Sequence, residues 1–233
     1  MITRIPYETL GHANHGWLDA RHHFSFASYY DPARVQFGTL RVINDDKVAA
    51  QKGFATHPHD NMEIITYVRS GAITHKDSMG NMGRTKAGDV QVMSAGSGVA
   101  HSEYNLENED TTLYQIWIIP NKQNVKPRWD AKEFPKDFVK NTLPVLVSVR
   151  DEHQDKALFI HQDAAILGGR LESGTTLMQA IKHQAYILAS HGSFKVNGET
   201  LGQGDGAQVQ GESILTIEAV SDCEILIIDV PEY

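Results

Sequence analysis

Thr56-His57-Pro58-His59-Asp60-Asn61-Met62-Glu63 is the stretch from which the rest of this chain is read, together with Val99-Ala100-His101-Ser102-Glu103-Tyr104-Asn105. His57 and His59 stand two residues apart, and so do His101 and Glu103. On an extended strand, residues i and i+2 point to the same face. If both stretches are strands whose inward faces meet, three imidazoles and one carboxylate aim at one point. Such a convergence needs facing sheets to hold it.

The sequence around these stretches supplies them. Upstream, Gly11 to Trp17 is rich in Gly, His and Asn and reads as loop or edge structure. Phe24 and Phe26 alternate with small polar residues in a strand-like way, up to the turn signal Asp31-Pro32. Leu40 to Ile43 reads as a short strand closed by Asn44-Asp45-Asp46. Glu63 to Val68 is β-branched and aromatic, Ser70-Gly71 turns it, and Ala72 to Lys76 returns as a hairpin partner. Val90 to Met93 alternates, and Leu113 to Ile119 is the strongest strand signal in this half. In the second half, strands are expected at Leu143–Val149, Leu177–Ile181, Ala185–Ser190, Ser193–Val196, Ala207–Val209, Ile214–Ile217 and Glu224–Val230. Asn197-Gly198 is a hairpin signal. No long segment carries a 3.6-residue apolar period. Short strands with glycine turns imply an all-β sandwich or barrel. Asn121 to Asn141 differs, with Pro127, Pro135 and five lysines, and reads as a connection. The expected division is residues 1–120 with the metal site, 121–142 as linker, and 143–233 as a second barrel without ligands.

A faint repeat links the halves. Aligning Gly71 with Gly192 puts His57 on Met178, His59 on Ala180 and Glu63 on Gln184. Aligning Gly88 with Gly204 puts His101 on Ile217 and Glu103 on Ala219. The second copy then keeps the scaffold and loses every ligand.

The totals are those of an ordinary globular chain: 233 residues, 41% hydrophobic and 21% charged. A net charge of -8 argues against a non-specific nucleic-acid binder, which would want a basic face. Cys223 is the single cysteine, so no internal disulfide can form, which suits a reducing compartment. Neither a signal-peptide core nor a run of about 20 apolar residues is present. The chain reads as cytoplasmic, with no membrane partner.

Imidazole and carboxylate together suit iron(II), manganese, nickel, copper or zinc. Four N/O ligands on a six-coordinate ion leave two neighbouring positions open, as an oxygenase or a Lewis acid on a substrate oxygen requires. Glu63 lacks the two-residue spacing and reads as a polar group outside the ligand set. Tyr114 and Gln115 alternate, so one of them faces inward. His12, His15, His22 and His23 cluster without a common strand face and are candidates only for the pocket entrance. His153, His161, His183 and His191 read as surface or turn residues, and the linker lysines as a solvated stretch.

The order Gly53, His57, His59, Glu63, Gly71, then Gly98, His101, Asn105 resembles the two cupin motifs. Gly11–Trp17, Phe24-Ser25-Phe26, Tyr30-Asp31-Pro32, Thr56–His59, Asp77–Asn81, Met93–Gly96 and His101–Asn105 resemble, more closely, the pirin family of two-cupin proteins. That resemblance implies a bicupin of two antiparallel jelly-roll barrels. It implies Fe(II) in the first barrel on His57, His59, His101 and Glu103, with Glu63 not a ligand. It further implies quercetin 2,3-dioxygenase activity on a flavonol and dioxygen; in such a reaction Glu103, or a carboxylate nearby, would take the flavonol's proton as general base. Two other readings stay open: a redox-responsive regulatory module that binds a protein partner, and a different metal-dependent isomerase or oxidase. Two barrels in one chain do what a single-barrel dimer does, so a monomer is expected.

Overall fold

The computed structural model describes residues 1–233: antiparallel strands, turns and two 3-10 turns at Tyr7–Thr9 and Asp151–His153. No helix is long and apolar enough to cross a membrane. The first half has a seven-stranded sheet. Its spatial order is Arg128–Lys132, Val90–Ser94, Glu63–Ser70, Thr111–Ile118, Leu40–Val48, Leu18–His22, Gly11–Asn14. A four-stranded sheet faces it: Gly53–His59, Val99–Tyr104, Ala72–Asp77, Met82–Lys86. The second half repeats the plan. Its large sheet runs Ile2–Ile5, Gly206–Val209, Gln184–His191, Cys223–Val230, Ala165–Leu171, Val145–Ser148. Its small sheet runs Thr176–Ala180, Ile214–Ala219, Ser193–Val196, Glu199–Gly202. This is the all-β, cupin-type arrangement expected.

Strand alternation decides where the cores sit. On Thr111–Ile118, Tyr114, Ile116 and Ile118 point away from the small sheet, while Leu113, Gln115 and Trp117 point toward it. On Gln184–His191, Tyr186 and Leu188 likewise point outward. These outward faces pack on each other in one cluster of 25 buried residues that spans both halves, with Ile43, Ile65, Tyr186 and Ile228 among them. The inward face of the second half is a continuous apolar core of 20 residues, including Leu177, Phe194 and Ile217. The first half has only small apolar clusters inside. Its interior instead holds Asn44, Asp46, Thr66, Gln91, His101, Glu103 and Gln115, all buried.

Several elements differ from the sequence reading. Phe24 to Phe26 is not a strand; only a bridge between Phe26 and Tyr29 forms. The Ser25 hydroxyl donates to the Asp31 carbonyl at 2.9 Å and accepts from the Asp31 amide at 2.8 Å, closing a loop instead. The strand from Leu40 does not stop at Asn44 but runs to Val48. Asn44 accepts from His22 at 2.8 Å and Asp45 pairs with Arg69, so polar residues that suggest a turn are absorbed by partners. The lysine-rich stretch is docked: Arg128–Lys132 pairs with Val90–Ser94, and Phe134 is buried in the shared core. Ile2–Ile5 pairs with Gly206–Val209, so the first strand of the chain completes the sheet of the second half. Ala165–Leu171 lies outside the expected strands and carries Gly168-Gly169, a pair that ordinarily weakens a strand. Here the missing side chains admit Leu146 and Val139, whose methyl carbons lie 2.9 Å from where a Cβ would stand.

The repeat is real, but on the histidine strand the alignment is one residue off. His57 pairs with His101, whereas Ile217 pairs with Leu177. The inward counterparts of His57 and His59 are therefore the buried Leu177 and Gln179, while Met178 is exposed. A slip of one residue exchanges the two faces.

Candidate metal centre

His57 and His59 lie on Gly53–His59, an edge strand, where Pro58 costs no ladder hydrogen bond. His101 pairs with His57 and Glu103 with Phe54, so the ladder shifts between them. That bulge gives the histidine strand one extra residue and sets the direction of His57. The ligand nitrogens of His57, His59 and His101 lie within 4.8 Å of one another. Glu103 falls outside that group of three.

The hydrogen-bond network assigns the tautomers. His57 Nδ1 donates to the Ala55 carbonyl at 2.7 Å, which leaves Nε2 with its lone pair. His101 Nε2 stands 3.1 Å from it. Behind His101, its Nδ1 lies 3.4 Å from His75 Nδ1, and His75 Nε2 donates to Asp77 at 3.1 Å. Asp77 thus fixes His75, and His75 can accept from His101 Nδ1, freeing His101 Nε2 as a ligand. His59 packs edge-on against Trp117, with centroids 5.0 Å apart. Burial and the neighbouring imidazoles push His101 down to about 3; burial and His57 push His59 down to about 4. Both rings are neutral lone-pair donors at neutral pH.

Glu103 is buried beneath these rings. Gln91 Nε2 donates to Oε1 at 2.6 Å, Thr66 Oγ1 to Oε1 at 3.1 Å, and Gln115 Nε2 to Oε2 at 2.9 Å. Burial raises its pKa, while His75, Thr66, His57 and Gln115 oppose the rise. Gln115 is therefore the inward member of the Tyr114–Gln115 pair. Glu63 is not part of this group: it accepts from Ser94 at 2.7 Å, and burial raises it to about 7.

The donor set fits a divalent transition ion. Two nitrogens about 2.1 Å from one ion, at right angles, stand about 3.0 Å apart. The 3.1 Å between His57 Nε2 and His101 Nε2 matches that edge. An all-N/O set without sulfur suits iron, nickel, copper, manganese or zinc.

A cavity of about 610 Å³ opens over His57 and His59. Phe26, Tyr29, Phe54 and Trp117 supply its aromatic walls, and His12, His15 and His22 also line it. Of the clustered N-terminal histidines only His23 lies elsewhere, buried between the halves with Nδ1 2.9 Å from the Tyr186 hydroxyl. In the second half His153 meets Ser148 and His183 meets Asp163, so neither approaches the site. His75, Thr66 and Gln91 were not singled out from sequence. Each reaches the site across strands, a relation that spacing along one strand does not carry.

Comparison with known proteins agrees with this geometry. Residues 5–118 match the family model described as Pirin, and residues 145–230 match that of the quercetinase C-terminal cupin domain. The chain is 50% identical over 231 residues to a protein named pirin-like from Caulobacter vibrioides, covering 98% of this chain and 99% of the relative. It is 43% identical over 224 residues to a protein named quercetin 2,3-dioxygenase from Escherichia coli, covering 95% of each. Its structure superposes with a TM-score of 0.93 and 40% identity, over the full length of both chains, on the bacterial pirin YhhW of Escherichia coli in complex with nickel(II). With both halves matched and the three imidazoles converging, the chain belongs to the pirin family.

Proposed function

We propose that this protein is a metal-dependent dioxygenase that opens the heterocyclic ring of a flavonol such as quercetin, with release of carbon monoxide. The observation that carries the reading is the joining of the three-histidine cluster to an aromatic-walled cavity of about 610 Å³, a size that suits one planar polyphenol. His57, His59, His101 and Glu103 would hold the ion, taken to be Fe(II), with copper, nickel, manganese and zinc compatible with the same donors. When bound, the metal supplies Lewis acidity and redox chemistry toward dioxygen.

The residues of the chain do the remainder. Phe26, Phe54 and Trp117 orient the flat ring system and exclude water. Glu103 receives the proton of the flavonol hydroxyl as general base, and the raised proton affinity that burial gives it suits that task. Gln91, Gln115 and Thr66 keep its oxygens aimed while the proton moves. Trp117 beside His59 offers a reporter of binding.

Anaerobic titration of quercetin into metal-loaded and metal-free protein tests the reading. Metal-dependent quenching of tryptophan fluorescence, followed by a depside product and carbon monoxide once oxygen is admitted, is expected. Absence of metal-dependent binding would overturn it.

A further inference from the structure

Two of the seven buried side-chain polar atoms that lack any hydrogen-bond partner, Asp46 Oδ1 and Trp117 Nε1, belong to residues that line this one cavity. Asp46 is the only carboxyl group among the seven. It is 2% exposed, sits on Leu40–Val48 opposite Leu113, and makes no side-chain hydrogen bond or ion pair. Its neighbours on the same strand are provided for: Asn44 accepts from His22 Nδ1, and Asp45 pairs with Arg69 on the other face. A buried carboxyl without a partner is costly and persists where something else repays it, such as a ligand. Here it faces a cavity large enough to hold one, walled by aromatic rings.

We propose that Asp46 is the specificity-determining residue of this cavity, its carboxyl group hydrogen-bonding a ring hydroxyl of the flavonol other than the one that reacts. This rests on the flavonol reading above. Burial, Asp45 and Glu103 raise the pKa of Asp46, while Arg69 lowers it; a carboxyl group accepts a hydroxyl's hydrogen bond in either protonation state and can also donate one when protonated. A site built to hydrogen-bond a hydroxyl rejects the analogue that lacks it, because the buried group is then left unpaired. Asp46 therefore favours polyhydroxylated flavonols over the bare ring system, while the aromatic walls bind both.

The test compares quercetin with 3-hydroxyflavone, which shares the reacting hydroxyl and lacks the others. Anaerobic Kd values come from tryptophan quenching of metal-loaded wild type, Asp46→Leu, Asp46→Ala and Asp46→Asn. Asp46→Leu is expected to weaken quercetin at least about tenfold and 3-hydroxyflavone less than about twofold. Asp46→Asn, which keeps a donor and an acceptor, restores most of the difference. Asp46→Ala cannot overpack and carries the same comparison if the leucine variant does not fold. Metal content is expected to be unchanged throughout. Equal weakening of both flavonols, or of neither, would overturn the role of Asp46 and leave the flavonol reading standing. Wild-type protein that binds neither flavonol would overturn both.

Discussion

Glu103 accepts hydrogen bonds from Gln91, Thr66 and Gln115, three residues on three strands of the opposite sheet. Such partners orient a ligand and tune its basicity. Replacing Gln91 or Gln115 by leucine is expected to weaken metal binding about 10- to 100-fold, read by competition with a chelating dye; unchanged affinity would contradict the role of Glu103 as ligand. Glu63 makes a prediction of opposite kind. Its folded pKa is raised from 4.5 to about 7. The folded state therefore holds a proton that the unfolded chain gives up earlier. The associated stability is present below about pH 4.5 and is lost as pH rises through about 7. Glu63→Gln should flatten the stability profile across that window and leave metal content intact, as chemical denaturation at several pH values would show. The i, i+2 spacing made the convergence of His57, His59 and His101 legible, and it pointed to the buried Glu103 on the same strand as His101. His75, Gln91 and Asp46 were not legible, because strand spacing says nothing about which residues stand opposite in a neighbouring strand or sheet.

Both large sheets are finished at the same edge by a strand from outside their own repeat: Arg128–Lys132 in one and Ile2–Ile5 in the other. Ile2–Ile5 pairs over four residues, and Arg4 donates to Asp205 at 2.8 Å. Removing residues 1–6 leaves one edge of Gly206–Val209 unpaired and uncovers the shared core near Ile5 and the second half's core near Ile2. A loss of about 2–4 kcal/mol follows, or roughly 5–15 °C in Tm, with metal content unchanged; an unaltered Tm would contradict the closing role of this strand. At this scale the sequence was readable where strands alternate and end in Gly turns, as from Gln184 to Val230. It misled where local chemistry is absorbed by tertiary neighbours: Asn44 and Asp45 paired inside a strand, Gly168-Gly169 packed inside another, and Ser25 closing a loop where a strand was expected.

The two halves share their largest apolar cluster across the facing outer surfaces of the large sheets. The first half gives its interior to polar groups, so it depends on that shared surface for much of its hydrophobic stabilisation. One cooperative unfolding transition is expected for the whole chain. Tyr186→Ala, at the centre of the contact, should cost about 3–5 kcal/mol and lower metal retention on heating together with global Tm. Two separate calorimetric transitions would contradict this. The all-β class and the doubling were visible in the sequence, but the contact was not. It is made by the alternate residues of strands such as Ala185–Ser190, whose unbroken apolar run shows burial on both faces without showing against what.

The central claim is that His57, His59, His101 and Glu103 hold one ion that drives oxidative opening of a flavonol. Oxygen uptake and carbon monoxide release with quercetin test it most directly. Apo-protein is reconstituted in turn with iron(II), manganese, nickel, copper and zinc, with His57→Ala and Glu103→Ala alongside. The account predicts one ion per chain, with oxygen consumed and carbon monoxide released in equal amounts, and activity abolished by either substitution. Stoichiometric metal binding with no uptake for any ion, or uptake that survives both substitutions, would contradict it.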